Sequence, residues 1–292
     1  MKKTLIVQAP AKINIGLWVK NRRPDGFHEL ESIMQTVSLS DYIVLKQSKE
    51  PGIRVTCSNL AVPEGSENIA FKAARIFHER LGIEPALDIS IDKKIPMAAG
   101  LAGGSTDAAA VLTALPKLFE RSVSNADLMD MAAALGSDIP FVLKGGLAHT
   151  AGRGEKLTFL AEPKVDYTIV IVVPNDVGVS TKWCYENYIP GNNEAKERSF
   201  AMIADAYING DLTTLRKVIF NDLESVTLQR YPIVQRIKEL LSSAGDGAVL
   251  MSGSGPSVFG IFANRVRACM ALKALDGMPV DVFIEHTSKR KF

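Results

Sequence analysis

One stretch narrows the fold more than any other. An alternating segment, ALDISIDKK (residues 86–94), is followed at once by PMAAGLAGGSTDAAAVLTAL (residues 96–115). The first part has the period of a β-strand. In the second, Ala108, Val111, Leu112, Leu115 and Phe119 recur at helical spacing, which predicts one apolar helix face and a helix ending near Pro116. Between strand and helix lie small residues and three glycines, Gly100, Gly103 and Gly104. A glycine-rich turn running into a helix N-terminus gathers free backbone N–H groups at the positive end of the helix dipole. Such a place suits an anion, typically a phosphate. The plainer reading is that Ser105 caps the helix and the small residues allow close packing.

The remaining punctuation asks for more sheet and more helix. In AKINIGLWVK, Ala11, Ile13, Ile15, Leu17 and Val19 alternate with Lys12, Asn14, Gly16, Trp18 and Lys20, the pattern of a half-buried strand. Asp25-Gly26 signals a turn, and further strands follow to about residue 57. NIAFKAARIFHERLG reads as a helix closed by Gly82, and SNADLMDMAAALG as a helix capped by Ser124. Two hairpin-like strands are expected near residues 146–152 and 155–160, then a boundary at AEPKVD and an apolar strand, YTIVIVVP. Three or four helical segments should fill residues 181–243. GAVLMSGSGPSVFGIF reads as two strands about a glycine turn, followed by a helix at 265–275 and a last strand, VDVFIEH. The fold class is α+β, in two lobes of residues 1–162 and 163–292.

Composition excludes several functions. A net charge of +2 leaves no electrostatic footprint for nucleic acid or an acidic membrane. Cys57, Cys184 and Cys269 lie far apart, with neither metal-ligand spacing nor the count of a disulfide framework, so a reducing cytoplasm is the expected compartment. The opening MKKTLIVQAPAKINIGLWVK is interrupted by Gln8, Pro10, Lys12 and Asn14, so neither a signal peptide nor a membrane span is expected of it.

Four places are able to carry chemistry. The glycine loop is neither a Walker A nor a dinucleotide fingerprint, yet it has the parts of a phosphate cradle. Lys12 and Asn14 share a strand face, which is either a solvated outer surface or a site. In DGFHE, Phe27 and His28 offer a planar ring and a polar edge, or else Phe27 tucks into the core at a hairpin tip, the more frequent arrangement. In LGSDIPFVL, Asp138 stands in a tight bend among apolar residues and is expected to be partly buried; Lys12 would serve as its partner. A second glycine turn, MSGSGPS, fits close approach of backbone to a ligand or a plain tight hairpin.

In their order and separation, residues 10–14 (PAKIN), 96–106 and 252–257 resemble the three signature segments of the GHMP small-molecule kinases. The stretches RRPDGFHELESIMQTVSLSDYI and LGSDIPFVLKGGLAHTAGRGEKL are similar to the branch of that family whose acceptor is a cytidine-diphosphate-linked tetrol of the methylerythritol phosphate route. The likeness is weak between about residues 176 and 245. It implies a two-lobed fold, with a first lobe like the second domain of ribosomal protein S5 and a ferredoxin-like second lobe. It also implies an ATP-dependent kinase, with Mg²⁺, acting as a monomer or weak homodimer.

By the same resemblance, Pro96, Met97, Ala98, Ala99, Gly100, Leu101, Ala102, Gly103, Gly104, Ser105 and Thr106 wrap the ATP phosphates and Asn68 lies near the adenosine. Asp138 is the catalytic aspartate and Lys12 its partner. Asn14, Phe27, His28 and Tyr185 contact the acceptor, with Trp183 an alternative to Tyr185. Alanines stand at 98, 99 and 102 where relatives often carry glycine, which requires negative φ at those positions. Mevalonate, homoserine or sugar acceptors, and a nucleic-acid-binding module, are the competing expectations. The DGFHE turn speaks against the first group and the modest charge against the second.

Overall fold

A computed structural model describes residues 3–189 and 199–290. Two long strands, β1 (Thr4–Arg22) and β2 (His28–Gln47), run through two compact units. The first unit takes the chain up to Ala11, then Leu39–Ile95 and Ala102–Lys144. The second takes Lys12–Ser38, Pro96–Leu101 and the chain from Gly145 onward.

In the first unit β3 (Gly52–Cys57) pairs parallel with β4 (Ala86–Asp92), and β4 pairs antiparallel with the C-terminal half of β2. A parallel pair needs a crossover, and α1 (Ile69–Leu81) supplies it. The caps of α1 are local in origin. Asn68 accepts from the Ala70 amide, and Gly82 takes the left-handed conformation after the last turn. Helices α2 (Gly103–Leu118), α3 (Asn125–Leu135) and α4 (Ile139–Lys144) complete the unit, α3 being capped by Ser124 as its sequence predicts.

α2 differs from its sequence reading in two respects. It continues past Pro116 to Leu118, because a proline so near the end forfeits a single backbone bond. It is also buried around most of its circumference from Thr106 to Leu112, not along one face. Alanines at 108, 109, 110 and 114 let α1 and α4 approach closely, and Val111, Leu112 and Leu115, each fully buried, contribute about 1.5–3 kcal/mol apiece.

In the second unit the N-terminal half of β2 pairs with β5 (Leu147–Gly152), and β5 with β6 (Lys156–Phe159). A separate antiparallel sheet has the order β10–β7–β9–β8, from Val280–His286, Thr168–Pro174, Val258–Phe262 and Ala248–Met251. Val170, Val172, Val258 and Phe262 of that sheet pack with Val234, Ile237 and Leu241. The helices here are α5 (Thr181–Asn187), α6 (Phe200–Asn209), α7 (Leu212–Val218), α8 (Glu224–Arg230), α9 (Pro232–Ser243) and α10 (Arg265–Leu272). Five of them fall between Thr181 and Ser243, against the three or four expected; residues 190–198 of that stretch lie outside the described residues. Gly210, left-handed at φ +83°, ends α6 before α7, and Tyr231 separates α8 from α9.

β1 also departs from its pattern. Alternation predicted one wet face, yet Ala9 to Leu17 are buried without interruption, and Lys12 and Asn14 are each only 5% exposed. A buried lysine must be paired or hydrogen-bonded, and its bonds lead to the functional region.

Candidate active site

In the second unit, Lys12 Nζ donates to Asn14 Oδ1 at 2.7 Å and to the Gly100 carbonyl at 3.2 Å. Asn14 Nδ2 donates in turn to Ser32 Oγ (2.9 Å), whose hydroxyl donates to the Gly16 carbonyl (2.6 Å). The two-residue strand period puts Lys12 and Asn14 on one face, as expected, but the face is an interior polar row.

The same carbonyl of Gly100 accepts from Ser252 Oγ at 3.0 Å, and Ser257 Oγ donates to the Ala99 carbonyl. The loop of residues 96–101 is therefore bonded to the turn of residues 252–257. Their fit explains the glycines at both places. A Cβ on Gly100, whose φ is +75°, would stand 2.1 Å from the Ser252 carbonyl oxygen. Gly253 has φ +55°, and a Cβ there would lie 3.2 Å from the Gly100 carbonyl oxygen and 3.5 Å from Lys12 Nζ. All three segments singled out in the sequence thus meet around the Lys12 ammonium.

In the first unit, α2 begins without a side-chain cap. Its N-cap position is Ala102, and Ser105, half-buried, does not serve as the cap. Thr106 Oγ1 is committed to the Pro10 carbonyl at 2.6 Å. A sixteen-residue helix with an uncapped, glycine-built N-terminus presents amides and dipole to an anion. The alanines of the loop overturn one expectation. Ala98 has φ 49° and Ala102 φ 58°, both left-handed, where negative values were anticipated; only Ala99 conforms. A Cβ in that conformation is strained by roughly 1–2 kcal/mol, partly offset by alanine's lower entropy in the unfolded chain. Ala102→Gly is expected to raise unfolding stability by about 0.5–1 kcal/mol in urea titrations. A lower midpoint would show that the methyl group packs better than its backbone strains.

Asn68 is buried and occupied. It caps α1 and donates to the Pro63 carbonyl at 2.6 Å, so it shapes the turn before α1. Asp138 is half-buried, as expected, and its carbonyl accepts from the Val142 amide (3.1 Å) to open α4. Asp138 belongs to the first unit and Lys12 to the second.

The acceptor-side candidates all lie in the second unit. Phe27 is 54% exposed, so it is not a core residue at a hairpin tip; the Arg153 guanidinium covers its ring at 5.1 Å. His28 stacks on Tyr185 with centroids 5.7 Å apart and planes at 24°, and meets the edge of Tyr188 at 6.4 Å. Burial, then the charge of Arg22, lowers the His28 pKa and keeps the ring neutral near pH 7. Trp183 turns elsewhere, edge-on to Tyr231 at 6.1 Å. Tyr185 therefore shares a shelf with His28.

Two residues behind this arrangement went unread in the sequence. Asn221 Nδ2 donates to the carbonyls of Met251 (2.8 Å) and Gly253 (2.7 Å), which holds the second glycine turn. Asp222 Oδ2 accepts from the Val19 amide (3.0 Å) and from the Tyr188 hydroxyl (3.1 Å), which holds the tyrosine beside His28. The signal was available as FNDLE, two adjacent polar residues amid apolar ones, but nothing local tells such a pair from a solvated turn.

Among the described residues, no group of three or more His, Cys, Asp or Glu forms a metal site, and no helix is long and apolar enough to cross a membrane.

A family model described as GHMP kinases N terminal domain matches residues 68–146, and one described as GHMP kinases C terminal matches residues 202–275. The 4-diphosphocytidyl-2-C-methyl-D-erythritol kinase of Acetivibrio thermocellus is 41% identical, covering 98% of this chain and 99% of its own. That of Geobacter metallireducens is 44% identical over 94% of each. A crystal structure of 4-(cytidine 5'-diphospho)-2C-methyl-D-erythritol kinase superposes with a TM-score of 0.80 at 32% identity, over 97% of this chain and 99% of that one. A homoserine kinase from Cytophaga hutchinsonii reaches 0.79 at 20% identity, a likeness of fold, over 100% and 96%. Identity of this extent over nearly the whole chain, with both family models matched, makes the chain a member of the GHMP kinase family.

Proposed function

We propose that this chain transfers the γ-phosphoryl group of ATP to a hydroxyl of 4-diphosphocytidyl-2-C-methyl-D-erythritol, on the methylerythritol phosphate route to isoprenoid precursors. The observation that carries the choice of acceptor is the aromatic shelf of His28 and Tyr185 beside an exposed Phe27. A mevalonate, homoserine or sugar acceptor has no base to lay against it. The relatives of that name, matched over nearly their full length, support the same reading.

Phosphoryl transfer to an alcohol depends on position and charge more than on covalent chemistry. The loop of residues 96–106 supplies backbone donors, with Gly100, Gly103, Gly104 and Ser105 nearest the phosphates, and the turn before α1, shaped by Asn68, borders the adenosine. Lys12, held by Asn14 and the Gly100 carbonyl, steadies charge on the transferring group, a role usually worth a few kcal/mol of barrier. Asp138 takes the proton of the acceptor hydroxyl as the new O–P bond forms. Phe27 and Tyr185 stack on the cytosine, His28 offers its neutral ring to the base edge, and Asn14 contacts the acceptor.

Mg²⁺ is suited to this donor set as an ion carried in by the nucleotide, since Mg²⁺ binds through few protein ligands plus phosphate oxygens and no carboxylate cage is present among the described residues. Ser105 is its candidate hydroxyl ligand, and the ion would neutralise phosphate charge. The ATP-binding lobe is assigned to residues 1–162 and the second lobe to 163–292, in a cytoplasmic enzyme that works as a monomer or weak homodimer without nucleic acid.

The test offers γ-labelled ATP with the cytidine-linked tetrol, its uridine-linked analogue, homoserine and mevalonate. Label should pass to the cytidine compound and far less to the others. Transfer to homoserine or mevalonate with none to the cytidine compound reverses the assignment. In the same assay Phe27→Ala should raise the acceptor KM about 5- to 150-fold, the equivalent of roughly 1–3 kcal/mol of base stacking. An unchanged KM would remove Phe27 from the acceptor site.

A further inference from the structure

In the first unit, three charged side chains are buried together where no sequence motif marks them. Lys93 Nζ donates to Asp41 Oδ2 at 2.6 Å and to Asp107 Oδ2 at 2.7 Å, with side-chain exposures of 5%, 0% and 4% for Lys93, Asp41 and Asp107. Their place along the chain is informative. Asp41 Oδ1 accepts from the amides of Lys94 (2.6 Å) and Ile95 (2.8 Å), the last two residues before the loop. Asp107 stands one turn into α2, just after the loop ends. A Cβ on Gly103 would lie 3.1 Å from Lys93 Nζ, so the ammonium sits directly beneath the first residue of that helix.

We propose that the Lys93–Asp41–Asp107 cluster pins both ends of the loop of residues 96–102, which makes Asp107 a positioning residue for nucleotide phosphate. The inference rests on the reading that this loop binds the phosphates of ATP.

Burial supports it. Asp107 Oδ1 is buried and has no hydrogen-bond partner among the described residues, so the carboxyl is tied to the start of the loop through the Lys93 ammonium, which also binds Asp41, and through the Asp41 bonds to the Lys94 and Ile95 amides.

The experiment measures steady-state phosphoryl transfer by the full chain, Asp107→Asn and Asp107→Ala, varying ATP and the cytidine-linked acceptor in turn. Asp107→Ala should raise the ATP KM by at least roughly fivefold and leave the acceptor KM within roughly twofold, a split that general loosening of the fold does not produce. Asparagine keeps an oxygen for the Lys93 ammonium and should bring the ATP KM back to within roughly threefold of the unaltered chain. A folded alanine variant with an unchanged ATP KM overturns the proposal, as does a parallel rise in both KM values. Should the alanine variant not fold, Asp107→Ser is read by the same split. An unaltered chain that transfers phosphoryl to no acceptor refutes the kinase reading itself, and this inference falls with it.

Discussion

Replacing Gly100 by alanine is expected to lower stability by about 3 kcal/mol or more and turnover at least tenfold, roughly the sum of a strained left-handed backbone and an overpacked contact. Both terms are visible. The residue has φ +75°, and the added carbon would stand 2.1 Å from the Ser252 carbonyl oxygen and 3.1 Å from the Gly255 amide nitrogen. Neither neighbour is the yielding end of a side chain, so the loop must move. Moving it withdraws the carbonyl that accepts from Lys12 and Ser252. A shift near 1 Å in a positioning element costs up to about a hundredfold in rate. Gly65 has no left-handed φ and open space around it, so Gly65→Ala sets the baseline. Thermal unfolding and kcat for the two variants make the comparison. If Gly100→Ala proves as stable and active as Gly65→Ala, the loop does not seat on the turn of residues 252–257 in the working enzyme.

The second large effect is expected at Asp138. Asp138→Ala should reduce kcat by about a hundredfold or more, the usual contribution of a positioned general base, and leave the KM values for ATP and acceptor within a few-fold. The bond that opens α4 uses the backbone carbonyl of this residue, which alanine retains, so the helix start is not what the substitution removes. Asp138→Asn should fall as far, because the amide accepts no proton. Near-normal turnover in a purified variant would take Asp138 out of the chemistry and leave phosphate positioning by Lys12 and the loop as the whole of the catalysis.

Features legible in the sequence were those that neighbouring residues decide among themselves. Asn68 and Gly82 delimit α1, Ser124 starts α3, and Asp25-Gly26 turns the first hairpin, with Gly26 at φ +87° and Asp25 accepting from the Phe27 amide. Candidate residues could also be named from the sequence, because Lys12, Asn14, Phe27, His28 and Asp138 sit in short segments whose order along the chain resembles a known family. What went astray depended on neighbours far away. Strand alternation made Lys12 and Asn14 look like a wet face, and only the chain packed over β1 made that face an interior one. The DGFHE turn left Phe27 open between an exposed ring and a core residue, and only the packing around it decided for exposure. Loop alanines assigned negative φ are held left-handed at 98 and 102.

The division has a physical cause. Period, caps and turn residues act over a few positions, so the sequence by itself determined the strand–glycine loop–helix unit, most helix ends and the α+β class. Only the tertiary structure decided that Ser252 reaches Gly100 across 152 positions, that Asn221 holds the turn at Gly253, and that Lys93 gathers Asp41 and Asp107 into a dry cluster. Whether a lysine is a solvated charge or a buried one depends on what the rest of the chain lays over it. That is settled by the burial of distant apolar surface and the pairing it forces on any polar group caught inside.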